Sequence, residues 1–266
     1  MLTQVQLAVK CLVMISGMKN KIKKPVLVAG SIAFWIIIWY LVATIVNRKL
    51  LLKIPLPTDT FIAFIENCTN AQFWLAVATT LEHIVIGFLS AVIIGLIGGI
   101  IAGHSRVFEI FSSPLLHMVR AVPVAAFIIV AWLWIPSKIL PSFISFLMVL
   151  PIIWSHVDAG LSCVDEKIVE MAKVYGLSKL DIIKKIKLPL IAPQIRTGCI
   201  TGLGIAWKAG VAAEVITSPT GSMGALLSHA KTSINYEQVF AVTLMVVILS
   251  IILENLLKLL WKEQKR

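Results

Sequence analysis

The sequence predicts an all-α, polytopic transmembrane helix bundle of about six spans, and three observations predict it. Of the 266 residues, 59% are hydrophobic and only 14% are charged, whereas soluble globular domains lie nearer half apolar and a quarter charged. The mean hydropathy is +0.94, an excess too large for one buried core, so most of the apolar surface must face lipid. The apolar residues also gather in runs close to the roughly 20 residues that a helix needs to cross the hydrocarbon layer.

The spans follow in order. Pro25–Val46 is flanked by Lys21, Lys23 and Lys24 before it and by Arg48 and Lys49 after it. A second runs from Ala71 to Ala102, cleanest over Ile84–Ala102, with Glu82 and His83 near its start. Ala121–Ile135 and Ile139–Trp154 are shorter and read as a hairpin of tilted spans joined by Pro136-Ser137-Lys138. Ile195–Ile216 is the fifth, interrupted by Lys208 and Glu214, and Val239–Trp261 is the sixth. The stretch Met1–Asn20 lacks a small-residue cleavage site and reads as a cytoplasmic tail. The expected division is 1–70 for tail, first helix and external loop, and 71–266 for the transmembrane domain, with a cytoplasmic loop at 155–193.

The net charge of +11 does not point to nucleic acid, because the basic residues sit between apolar runs and form no single face. They fix orientation instead, since cytoplasmic loops carry the excess of lysine and arginine. With the N-terminus inside, 18 of the 24 basic residues fall in cytoplasmic segments, so both termini are expected in the cytoplasm. Cys11, Cys68, Cys163 and Cys199 are scattered and form no CxxC pair, which argues against disulfide and zinc frameworks.

Two spans carry small residues at every fourth position. Gly87, Ala91, Gly95, Gly99 and Gly103 stripe the second, and Gly198, Gly202, Ala206 and Gly210 the fifth. Residues four apart share a helix face, so each stripe is a groove where another helix backbone can approach closely. Simple packing and sliding during a transport cycle both fit that pattern.

Between the fourth and fifth spans, Asp165 and Glu166 open a helical pattern with Ile168, Ala172 and Tyr175 on one face. Gly176 is a natural stop. Ser178-Lys179-Leu180-Asp181 then resembles a capping box, opening a second short helix. This helix sets Ile182, Ile183 and Ile186 against the membrane and Lys179, Lys184, Lys185 and Lys187 outward, and it ends at Pro189. A plain amphipathic anchor on anionic lipid is the rival reading, but lipid binding does not require glycine and proline at those spacings.

The run Glu170-Met171-Ala172, Gly176, Ile186, Leu188-Pro189 resembles the EAA loop of binding-protein-dependent ABC importer permeases, departing from it at Met171. Arg120-Ala121-Val122-Pro123 is similar to the Arg-x-x-Pro that begins the third span in that family. Trp207-Lys208-Ala209-Gly210-Val211-Ala212-Ala213-Glu214 is similar to a segment of its nitrate/sulfonate/taurine branch. The resemblance covers about Thr79–Leu260 and leaves the first span as an extra helix. It implies an ABC importer permease core whose loop docks into a groove on a cytoplasmic ATPase, with Glu170 offering a charge and Ala172 and Gly176 suiting close approach. It further implies two ATPase subunits, an extracytoplasmic solute-binding protein, and a homodimer or a pair with a similar permease, all in the inner or plasma membrane. In that family arginine usually stands where His83 does.

No GxxxxGK[ST] run exists, so the chain is not itself a P-loop ATPase. The five histidines never take a metalloprotease spacing, and His156 with Asp158 reads as loop polarity more readily than as a metal pair. No catalysis and no cofactor are expected. Ionisable groups within a span are functional candidates by default. Lys208 is placed to draw an anionic solute into the pathway or to bond another helix. Glu214, six residues on, is placed to contact a binding protein or to cap its own helix. Glu82 and His83 read as snorkelling to the interface, or as part of an external gate. The rival function is a self-sufficient secondary transporter or channel, which would show paired repeats and several buried charges near the midplane. A non-transporting membrane scaffold is a third reading, and the polar positions within the spans argue against it.

Overall fold

The computed structural model describes residues 27–48 and 53–263, so the expected tail, with Cys11 and the lysines before the first span, lies outside the described residues. No strand occurs among the described residues. The chain divides into two compact units after Ala63.

In the first unit, Leu27–Arg48 forms α1, 22 residues long. Asn47, in the last turn of α1, bonds Ile54, accepting from its N–H at 2.7 Å and donating to its carbonyl at 2.9 Å. Pro57–Thr69 forms α2, which crosses the division.

The second unit begins in earnest with α3, Ala71–Ala102, opened by the Asn70 side chain accepting from Gln72 N–H. Then follow α4 (Arg106–Ala121), α5 (Val124–Trp132), α6 (Leu140–Ser162), α7 (Glu166–Val174), α8 (Lys179–Asp181), α9 (Leu188–Thr217), α10 (Met223–Thr232) and α11 (Tyr236–Glu263). Five helices of the described chain are long and apolar enough to cross a membrane, and the pair α4–α5 makes a sixth if it counts as one span.

The centre is the layer α3–α6–α9. A Cβ at Gly87 would overlap Ser142 O, one at Gly95 would sit 3.0 Å from Ile153, and one at Gly99 would sit 2.8 Å from Val157. Those partners ascend together, so α3 and α6 run parallel. On α9, Gly198 meets His156 (2.9 Å), Gly202 meets Val149 (3.1 Å) and Gly210 meets Ser145 (2.5 Å), a descending order that makes α9 antiparallel to α6. The space left by the missing side chains is filled by Ile84, Phe88, Val149, Ile153, Val157 and Trp207.

Three expectations need correction. The third span was placed at Ala121–Ile135, but the chain there is a bent pair, α4 and α5 meeting at 104°. Val122 precedes a proline and takes an extended backbone (ψ 132°), and Pro123 cannot donate, so the helix must break at that point. The fourth span is longer than Ile139–Trp154: α6 starts at Leu140, with Pro141 in its first turn, and runs past Trp154 to Ser162. Pro189 does not end the second loop helix: Lys179–Thr217 is one continuous helix of 39 residues. Its turn Ile182–Lys187 widens to a π-helix, in which Leu188 N–H reaches Ile183 O. That extra residue moves the carbonyls away from the proline ring, which in an α register would strike the carbonyl four residues back.

Candidate functional site

The loop before α9 is built by local chemistry. Asp165 caps α7 by accepting from Lys167 N–H at 2.9 Å. Gly176, at φ +76°, closes it: Gly176 N–H bonds Lys173 O and Leu177 N–H bonds Ala172 O, the two bonds of a Schellman end. Ser178 then caps α8, accepting from Asp181 N–H while its hydroxyl donates to the Asp181 carboxylate at 2.6 Å.

The side chains divide sharply around that turn. Ala172 is buried, as is Ile182, whereas Met171, Val174, Tyr175 and Leu180 stand exposed around Gly176. Tyr175 therefore does not share the inward face of Ala172. Glu170, Leu188 and Pro189 are exposed, and Ile186 is half-buried. Lys187 turns back onto the bundle, its Nζ 2.7 Å from His104 Nε2, while His104 Nδ1 donates to Ile100 O at 2.7 Å. Behind α7 lies an open cavity of about 930 Å³, bordered by His104, Arg106, Asp158, Glu166, Lys173 and Lys187.

Arg120, at the end of α4, donates to Pro151 O of α6 at 2.7 Å, beside the Ser155 hydroxyl that donates to the same carbonyl. The bent pair is thus fastened to the central layer at its corner.

Lys208 and Glu214 have opposite surroundings. Lys208 is exposed on α9, in line with exposed Thr197, Thr201 and Ile205, and has no hydrogen-bond or ion-pair partner among the described residues. Both threonine hydroxyls turn back to carbonyls four residues earlier. Glu214 is fully buried. Its Oε2 accepts from the Thr80 hydroxyl (2.8 Å) and from Gly224 N–H (3.1 Å), and its Oε1 lies 2.8 Å from His83 Nδ1. Thr80 Oγ1 in turn accepts from Met223 N–H at 2.9 Å. One carboxylate therefore joins α3, α9 and the first turn of α10. His83, read from the sequence as snorkelling to the interface, is 6% exposed and turned inward to this acid. Glu214 caps a helix, but that helix is α10 and not its own. Thr80 and Gly224 were missed. The local signal for α10 is Thr-Gly-Ser ahead of Met223, a turn followed by an N-cap serine that accepts from Ala225 N–H.

This site also sets the depth of α9. Thr80 is nine residues into α3, about 14 Å along its axis at 1.5 Å per residue. Glu214 bonds at that level, and α9 ends three residues later. The chain breaks at 218–222 before α10 begins, and the first turn of α10 is held at the end of α9 by Glu214.

The family model described as "Binding-protein-dependent transport system inner membrane component" matches residues 91–265. Relatives include the taurine transport system permease protein TauC of Escherichia coli, 27% identical over 85% of this chain and 83% of that protein. A putative aliphatic sulfonates transport permease protein, SsuC of Bacillus subtilis, is 29% identical over 78% and 75%. The nitrate import permease protein NrtB of Leptolyngbya laminosa is 30% identical over 56% and 53%. Among solved structures, an inward-facing MetNI methionine ABC transporter chain superposes with a TM-score of 0.60, covering 73% of this chain and 97% of that one at 16% identity, which supports the shared fold. The chain belongs to the binding-protein-dependent transport system inner membrane components, the permeases of ABC importers, and is similar to members named for taurine, sulfonates and nitrate.

Proposed function

We propose that the chain forms the translocation pathway for a small anionic solute of the sulfonate, nitrate or taurine kind, delivered by an extracytoplasmic solute-binding protein. In this reading residues 71–266 are the permease core, 1–70 an added N-terminal segment, and both termini lie in the cytoplasm. The core works as a homodimer or with a similar permease, over two cytoplasmic ATPase subunits. Glu170, Met171, Ala172, Gly176, Ile186, Leu188 and Pro189 make up the coupling segment.

The observation that carries the reading is Lys208. A lone ammonium within a membrane span is costly against lipid, yet this one is exposed and unpartnered among the described residues, and two threonines continue its face. A water-lined route between two permease copies would solvate it and give an oxyanion a place to pause. For the ATPase, the apolar side chains exposed around Gly176 supply a contact surface and the Schellman end supplies its shape.

Lys208→Met is expected to lower uptake of the transported anion at least about tenfold, the loss of one charge-assisted contact of 1.5–3 kcal/mol, with the protein still in the membrane. Labelled taurine and nitrate are the probes, and uptake equal to wild type would remove the substrate role. Purification of the tagged chain in mild detergent is expected to bring down a P-loop ATPase. Gly176→Pro should release it, because proline cannot take φ +76°. Recovery of the chain alone, still moving solute in liposomes without ATP, would favour a self-sufficient transporter.

A further inference from the structure

We propose that α10 is a movable piece, hinged at residues 218–222 and latched against α3 by the Glu214 carboxylate, with His83 and Thr80 as positioning residues of that latch. The hinge is visible in the backbone. Ser218 (φ +46°) and Gly221 (φ +78°) both lie in the left-handed region, so the helical path is interrupted between Thr217 and Met223. Helix α10 cannot pack deeper, since a Cβ on Gly224 would overlap Glu214 itself.

The polar hold on the first turn of α10 passes through two side chains. Gly224 N–H ends on Glu214, and Met223 N–H ends on Thr80, which itself donates to Glu214. Beside this clasp, Met223 seats among Phe73, Ala76, Val77, Val242 and Met245. His83 is the ionisable side chain bonded to Glu214. Glu82 on α3 and Lys208 on α9 point to exposed faces, and His229 and Lys231 lie at the far end of α10.

A permanently closed joint would be held as well by apolar packing, because replacing a buried ion pair with apolar groups is often neutral or stabilising. A carboxylate, an imidazole and two amide N–H groups have a different property: each regains its partners from water when the joint opens. Bonded and released states are then close in free energy, as a two-state element requires.

The test is a thiol-protection assay on Met223→Cys, with Cys11, Cys68, Cys163 and Cys199 replaced by serine or alanine. Native membranes are exposed to a maleimide with no ATP or solute added, so the assay is independent of the importer reading; that reading stands or falls on ATPase recovery. Met223 is fully buried, and slow labelling is expected. Adding Glu214→Gln or His83→Leu should speed it about tenfold, the span between a minor open state and a substantially populated one. His83→Arg, which keeps a donor facing the acid, should restore protection. A Val77→Cys/Met223→Cys pair joined by oxidation should block labelled taurine or nitrate uptake until reduced. Protection unchanged by Glu214→Gln, or uptake that persists in fully cross-linked protein, would overturn the latch.

Discussion

In the Glu214→Ala protein, thermal unfolding in detergent is expected about 10 °C below wild type, at the 2–4 °C per kcal/mol of chains this size. The substitution leaves three donors without an acceptor: the Thr80 hydroxyl, His83 Nδ1–H and Gly224 N–H. Breaking a buried pair by removing one partner costs about 3–5 kcal/mol, and the three abandoned donors reach the same range at 1–3 kcal/mol each. Glu214 and Thr80 are fully buried while α10 is seated, so no water takes the place of the carboxylate in that state. Glu214→Gln keeps one oxygen for the two donors on Oε2 and loses the charge, so about half the shift is expected. Thr80→Val should fall between them, since Thr80 both donates to Glu214 and accepts from Met223 N–H. A Glu214→Ala protein melting within 2 °C of wild type would mean that the buried network contributes little.

The second large effect is steric. Gly87→Leu is expected to abolish recovery of folded protein in fluorescence-detected size-exclusion chromatography. Its Cβ would overlap the Ser142 carbonyl oxygen and lie 3.0 Å from Phe146 N, both backbone atoms that cannot rotate away. Overpacking against movable side chains costs about 1–3 kcal/mol; against backbone the helices must separate, and the contacts of Ile84, Phe88 and Ile153 in the same layer separate with them. Gly30→Leu on α1 is the control. It has nothing within 4 Å of its Cβ and carries the same added volume, so its yield should match wild type.

How much of this was legible depends on the range of the interaction that decides it. The second span, Ala71–Ala102, coincides with α3, since hydropathy alone sets a long lipid-facing helix. The stop at Gly176 and the start at Ser178 were readable because their bonds close within six residues. The bend at Val122-Pro123 was less so. Arg106, Glu109, His117 and Arg120 make α4 amphipathic, and an apolar window slides past it to the richer stretch beyond. Pro189 misled for a related reason: proline argues against an α register, and the chain answered with a π turn that pattern reading does not register. The partners of Glu214 were out of reach, since Thr80 and His83 lie 134 and 131 positions away. The sequence could say that a carboxylate in a span is costly, but not which groups offset it. Lys208 is the converse case, because its peculiarity is an absence of partners that only the fold exposes.

The widened turn at Ile182–Lys187 also has a mechanical meaning. Because it replaces a break, Lys179–Thr217 is one rod of 39 residues, about 58 Å long at 1.5 Å per residue. Its first turn abuts the exposed tip at Gly176, and its last turn carries Glu214. A push on one end is thus delivered to the other without passing through any loop, like torque along a shaft. The π turn, followed by Pro193 with its missing N–H, is where that shaft has slack: the wider turn lets the lower end rotate slightly before the upper end must follow.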